Sequence, residues 1–435
     1  MNLKTLSFSV RIATIMLLPW NVVSAGDTTL YKMLLENGAI NQEQYEQLLK
    51  YNELQKNEGK MEEEVSKPKV DTQVKANVGS NNFQYKIGGR TMIDTAFYHD
   101  DVTPLNNSTK FRRVRLFIKG KMFKDWAWKT QYEFAGSGTL KDAYLKYMGL
   151  GDTTTLYLGQ FGAAGSLEDS NSSKYITLME RALPVLAFSP ATRYIGMGLS
   201  TYGNNWSFKT TLAGENGKTD ELERDGLGLS GRMTYAPWHE NDRVLHLGIS
   251  RTFRIPRGND TIRFGTKPEI DSNNMLIDTG RITAVNSYSI FGLETAWTRG
   301  PFSLQGEYIK TNVTRENISS LAFSGWYFYG SLFLTNESRP YDVMRGDFGR
   351  VNPKHPLHKG GVGAWEIALR LSSLSLEDQD IKGGKEDNLT LGINWYVNSN
   401  IRFMLNYVKA KVKDAVTSGE DENIDIVGIR TQVDF

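Results

Sequence analysis

The sequence predicts an all-β fold, a transmembrane antiparallel β-barrel of about sixteen strands with a short N-terminal helical periplasmic segment. Three observations carry this expectation. From Phe83 to the last residue, apolar and polar side chains alternate with a period of two. Along the same stretch, tight turns and longer connections follow each other in alternation. The first 25 residues read as an export signal rather than a membrane anchor.

In that signal, Lys4 and Arg11 give a positive start, Ile12 to Trp20 a short apolar run, and Val23 and Ala25 the small residues of a cleavage site. The run is too short for a membrane-spanning helix and contains Pro19. Residues 26–68 have a different pattern. Leu30, Leu34 and Leu35 stand at helical spacing and Gly38 is a C-terminal stop. Asn41 with Gln44 then resembles a capping box opening a second helix, with Tyr45, Leu48 and Leu49 on one face. The charged, unpatterned stretch from Glu53 to Lys69 reads as a linker, and residues 69–435 form the barrel domain. The helical segment is either a solvated hairpin or a short coil that helps assemble an oligomer.

Within the barrel, Ile87, Ile93 and Phe97 alternate with Lys86, Arg90 and Asp94, and Leu116 and Ile118 with Arg113, Arg115 and Lys119. Near the end, Val427, Ile429, Val433 and Phe435 are set against Arg430, Gln432 and Asp434. Strands are expected near 83–98, 109–123, 126–134, 139–148, 153–161, 191–202, 206–214, 226–236, 242–252, 288–298, 301–312, 322–335, 361–372, 387–397, 400–412 and 424–435. Charges of both signs on one face and aromatics toward the strand ends on the other fit a wet lumen inside a lipid-facing girdle. Lys124-Asp125, Gly203-Asn204-Asn205, Arg299-Gly300-Pro301 and Asn398-Ser399-Asn400 are tight turns. The long connections are 98–108, 162–190, 253–287 and 373–383. The connection 336–360 is also long, yet parity puts it on the periplasmic side, so it marks a miscounted strand or a periplasmic excursion. The terminal aromatic Phe435 resembles the signal read by the barrel-insertion machinery.

Composition narrows the chemistry. There are no cysteines, which excludes disulfides, thiolate metal sites and a Cys nucleophile. The chain has 51 Lys and Arg against 49 Asp and Glu, and loss of Lys4 and Arg11 with the signal would make the two equal. Net charge therefore gives no argument for nucleic acid. The five histidines (His99, His239, His246, His355 and His358) are scattered without a metal-binding motif, and no nucleophile elbow or phosphate loop occurs. No cofactor, metal or catalytic residue is expected, and an outer-membrane enzyme is the remote alternative.

The informative cluster is basic. Phe111-Arg112-Arg113-Val114-Arg115-Leu116-Phe117-Ile118-Lys119-Gly120-Lys121 places Arg113, Arg115, Lys119 and Lys121 on one face, toward the lumen. Such a strip either selects a passing anion, for which arginine's planar fork is suited, or is a solvated ladder balanced by acids across the lumen. In the loop 162–190, Lys174 flanked by hydroxyls is a candidate anion contact if that loop folds inward, with Glu168 and Asp169 nearby.

These stretches, together with Asp142-Ala143-Tyr144-Leu145, Leu158-Gly159-Gln160-Phe161, Met179-Glu180-Arg181-Ala182-Leu183-Pro184 and Gly363-Ala364-Trp365-Glu366, resemble the phosphate-selective porin O and P family. The resemblance spans about residues 83–435. It implies an outer-membrane barrel assembled as a homotrimer, with loops folded in to narrow each pore. It also implies arginines at the constriction acting with a loop lysine and an aspartate. By motif these are Arg112, Arg113, Lys174 and Asp142, although strand alternation points Arg112 away from the lumen. The expected function is passive diffusion of small hydrophilic solutes with a preference for inorganic anions such as phosphate, a general unselective porin being the alternative.

Overall fold

The computed structural model describes residues 35–36, 41–43, 45–46, 73–78, 81–188, 193–214, 226–240, 242–256, 261–272 and 274–435. The export signal lies outside the described residues, as does most of the segment 26–68. Of that segment, residues 35–36, 42–43 and 45–46 are helical. Tyr45 N–H donates to the Asn41 carbonyl at 3.0 Å, as a helix opening at Asn41 requires.

Sixteen strands form the barrel. They are β1 (Asn81–Asp100), β2 (Ser108–Met122), β3 (Trp126–Glu133), β4 (Thr139–Tyr147), β5 (Thr154–Gly162), β6 (Arg193–Tyr202), β7 (Trp206–Ala213) and β8 (Leu227–Glu240). Then come β9 (Arg243–Ile255), β10 (Val285–Arg299), β11 (Phe302–Arg315), β12 (Leu321–Phe333), β13 (Ala364–Asp378), β14 (Ile381–Tyr396), β15 (Ile401–Lys413) and β16 (Glu422–Asp434). Each pairs antiparallel with the next, and β16 pairs with β1, Asp434 facing Arg90, so the sheet closes and exposes no edge within the barrel. Below that point β1 runs on, and its free edge is taken by Gln73–Val78, which pairs with Asn81 to Lys86. At the seam Gly88 makes room: a Cβ there would stand 2.4 Å from the Phe117 ring and 2.7 Å from the Phe435 carbonyl.

The period of two sorts the side chains as expected. Leu369, Leu371, Leu391, Ile393 and Leu405 face outward, while Arg370, Thr390, Asn394 and Asn406 on the same strands are buried inside. Trp365, Trp395 and Phe403 stack on the outer face near the short turns, with centroids 5.5 and 5.6 Å apart, as an interfacial girdle.

The described parts of three connections fold into the lumen: 163–188 after β5, 261–272 and 274–284 after β9, and 334–363 after β12. The third lies at the end of the barrel that carries the short turns. The strand count therefore holds, and 334–363 is a periplasmic excursion. The stretch 373–383 is corrected. It is no long loop, because β13 and β14 extend through it and pair as far as Asp378 with Ile381. Glu377 and Lys382 are simply the tip of a long hairpin.

The lumen is also less uniformly wet than the alternation implied. On β15 and β16 the inward residues are Arg402, Arg430, Gln432 and Asp434 toward the periplasm but Val408, Val412, Ile424 and Ile426 toward the outside. The apolar half packs against Phe188 in the helix α2 (Leu183–Phe188) and against Phe264, Ile270, Leu276 and Ile277 of the connection 256–284. These loop residues need burial, and the outer half of the lumen supplies it.

Candidate functional site

The basic strand β2 departs from strict alternation at one point. Met92 of β1 faces Arg113 while Ile93 faces Phe111, so Arg112 is an extra residue in a β-bulge. The bulge turns Arg112 inward beside Arg113, correcting the expectation that Arg112 points away from the lumen. A second bulge in β4 does the same: Gln131 faces Asp142 and Tyr132 faces Leu140, leaving Lys141 over.

Both arginines meet the connection 163–192. Arg112 makes a two-pronged contact with Glu180, Nε to Oε1 at 2.8 Å and Nη2 to Oε2 at 3.0 Å, and approaches Asp271 at 3.7 Å. Arg113 Nη2 lies 3.6 Å from Glu180 Oε2, and Arg430 of β16 reaches Glu180 at 2.7 Å and Asp94 at 2.6 Å. Burial alone would raise the Glu180 carboxyl, but Arg112, Arg113 and Arg430 override it and hold it well below the usual carboxylate range. These guanidiniums clamp the loop to the wall.

Lower on the same wall, Arg115 pairs with Glu133 at 2.5 Å, and Arg90 donates to the Ser173 hydroxyl at 2.6 Å. Asp142 is shared by Lys129 at 2.5 Å and Arg193 at 3.1 Å. Lys174 reaches Asp434 at 3.2 Å, and Arg350 from the periplasmic excursion pairs with the same carboxylate. The loop thus crosses the lumen from the outer end of β5 to the periplasmic end of β16.

Lys119 and Lys121 differ from the arginines above them. Both are exposed, and among the described residues neither has a carboxylate partner. Lys119 stands directly between Lys86 of β1 and Lys129 of β3. Like charges placed side by side on a sheet repel, so solvent or a counter-ion must relieve them. Lys146 of β4 continues the row, its ammonium 4.7 Å from the Tyr157 ring centre. Between this wall and the loop lies a cavity of about 260 Å³, lined by Asp142, Tyr144, Tyr157, Arg193, Lys209 and Asp169 among others.

The opposite wall is filled. Glu269 of the connection 256–284 is fully buried and accepts from Arg370 at 2.7 Å, Ser372 at 2.5 Å and Thr390 at 2.6 Å. Arg370 also lies 3.6 Å from Glu168 at the start of the helix α1 (Leu167–Ser170). Arg232 ties Glu294 at 2.6 Å to the Gly346 carbonyl at 2.7 Å, and His246 bridges Glu294 and the Tyr341 hydroxyl.

Comparison with known proteins places this architecture. The family model described as phosphate-selective porin O and P matches residues 85–435. The chain belongs to this family. Porin O of Pseudomonas aeruginosa is 27% identical over 396 residues, covering 81% of this chain and 89% of that protein. An uncharacterized protein of Caulobacter vibrioides is 26% identical over 346 residues, covering 76% and 69%. Among solved structures, an anion-selective porin from Comamonas acidovorans matches with a TM-score of 0.53 at 13% identity, covering 81% of this chain and 100% of that one. The trimer form of OmpT of Vibrio cholerae gives 0.52 at 11%, covering 81% and 99%. These structures support the fold. The protein is therefore an outer-membrane porin, a β-barrel channel of the cell outer membrane.

In this porin Arg113, Arg115, Lys119 and Lys121 lie on the lumen face that strand alternation assigns them, while Asp142, named through the family resemblance, and Lys174, named on condition that its loop folds inward, lie on the same side. What the sequence missed was their partners. In the sequence Glu180 stands only within a family stretch, and nothing local ties Glu133, Asp434, Arg193 or Arg430 to the cluster. The bulge was legible. Phe111 and Leu116 both face lipid although an odd number of positions separates them, which demands one extra residue between them.

Proposed function

We propose that this porin passes small hydrophilic solutes with a preference for anions, inorganic phosphate among them, along the wall formed by β1 to β7. The observation that carries this reading is the row of exposed Lys119 and Lys121 with half-buried Lys146, none of which has a carboxylate partner among the described residues, facing the unfilled side of the lumen. Charge on a narrow, wet wall raises the local concentration of counter-ions without any binding chemistry. Lys129, Arg193 and Asp142, with Arg115 and Arg90 above them, form the approach to the cavity. Lys174 and the pair Arg112 and Arg113 act by holding the loop that narrows the passage.

A general porin is the second reading, favoured by the same ion pairs: Arg112, Arg113, Arg115, Lys129 and Lys174 are each matched to a carboxylate. The two separate in a planar bilayer. Reversal potential in a chloride gradient, followed by titration of phosphate against the chloride conductance, should show anion preference and block by phosphate. Equal permeability of both ions without block would leave a general porin.

The reading extends to assembly. On this reading residues 1–25 direct export and the strand ending in Phe435 guides insertion, while membership of the family supports association as a homotrimer in outer-membrane lipid. Residues 26–68 would stand in the periplasm.

A further inference from the structure

The outer, lipid-facing wall carries a site of its own near the periplasmic rim. Two rows of side chains run across β9 to β14 there. The lower row passes from Arg243 to Arg299, Phe302, Leu332, Ile367 and Ile393, each directly opposite the next. The upper row passes through Trp297, Leu304, Gly330, Leu369 and Leu391. Gly330 leaves a gap in it. The result is an apolar groove of about 660 Å³ on the outside of the barrel. A second hollow of about 350 Å³ lies beside it, lined by Trp238, Glu240, Arg243 and Arg299. Trp297 borders both.

The charges do not belong to the lumen. Arg243 shares a face with the outward Leu245 and Leu247, and Arg299 with the outward Trp297, so both guanidiniums stand on the lipid side near the periplasmic rim. They lie directly across from each other. Arg243 is 3.9 Å from Asp242, the limit of an ion pair, and more than half exposed. Arg299 has no ion-pair partner among the described residues. Two adjacent cations at a membrane surface, next to an acyl-shaped groove, match a phosphate with hydrocarbon attached. Glu240 lines the same hollow as the two arginines, and Asp242 flanks Arg243, so carboxylates stand ready for a headgroup ammonium.

We propose that this face binds one zwitterionic phospholipid of the periplasmic leaflet. Its acyl chain lies over Gly330 and its phosphate lies against Arg299 and Arg243.

Native mass spectrometry of the full chain in mild detergent, with added phosphatidylethanolamine or a diacylglycerol of the same acyl chains, tests this. One phosphatidylethanolamine should be retained per chain. Arg299→Gln should weaken retention about fivefold, and Gly330→Phe and the diacylglycerol should each be retained less than phosphatidylethanolamine on the wild-type chain, while the heat-modifiable gel mobility of the variants shows an intact barrel. Equal retention of both lipids, or no effect of either substitution, would overturn the site. So would disulfide-linked dimers of Gly330→Cys in this otherwise cysteine-free chain, since they would put a second copy over the groove.

Discussion

The two sides of the lumen use the same barrel in opposite ways. Along β2 to β6, inward side chains are mostly only partly buried, and charges such as Lys119 and Lys146 face open space. Along β11 to β16, inward residues are buried almost without interruption, and charges such as Arg370 and Arg430 are enclosed in ion pairs and hydrogen bonds with the loop residues Glu269 and Glu180. A buried pair of this kind adds little net stability over apolar packing, but losing one partner strands the other. An exposed lysine contributes almost nothing to stability and everything it has to the field in the channel. Counting lumen charges from sequence therefore overstates those available to a solute.

The largest effect that would test this contrast is on the filled side. Arg370→Ala leaves Glu269 and Glu168 buried without their cation and should cost about 3–5 kcal/mol, read as a lowered temperature of the heat-modifiable transition. Lys119→Ala should change the same transition by less than about 0.5 kcal/mol. Similar losses for both would erase the distinction between the walls.

Arg113→Glu comes next. On the sequence alone this change looks like a pure selectivity test. In the structure it sets a carboxylate against Glu180 in a buried site, so it should release the connection 163–192. The expected outcome is a noisier, larger single-channel conductance rather than a clean reversal of ion preference. A stable channel of unchanged conductance and reversed preference would mean that Arg113 faces the solute.

Acid should have the smallest effect. The folded Glu180 carboxyl sits below its unfolded value, so its contribution is present above the unfolded value and lost only as pH falls through the depressed one. Conductance should then stay constant from neutrality to about pH 4, near the ordinary glutamate value, and change only below it. A transition centred on the ordinary value would show that the three arginines do not hold Glu180.

Much of this was legible in the residues. Period-two patterning located all sixteen strands, because lipid outside and polar groups inside impose it on every one. The filling of the lumen was harder to read. Phe264, Ile270, Leu276 and Ile277 were visible as apolar residues in a presumed outer loop, which is itself a sign that the loop must bury them. Arg339, Arg345, Asp347 and Arg350 in the periplasmic excursion carry no such sign, since charged residues suit a solvated loop equally well. Their inward course is set by contacts distant in sequence: Arg350 with Asp434, and the Phe348 N–H with the Asn171 side chain at 2.9 Å. Pairing across the lumen has no local period, so alternation cannot reveal it.

The most direct measurement is the reversal potential of the channel bearing Lys119→Glu with Lys146→Glu, compared with wild type in the same chloride gradient. Among the described residues neither lysine has a carboxylate to lose, so the barrel should fold normally and the anion preference should fall or invert. An unchanged reversal potential in a folded double variant would contradict the account and move selectivity away from the open wall.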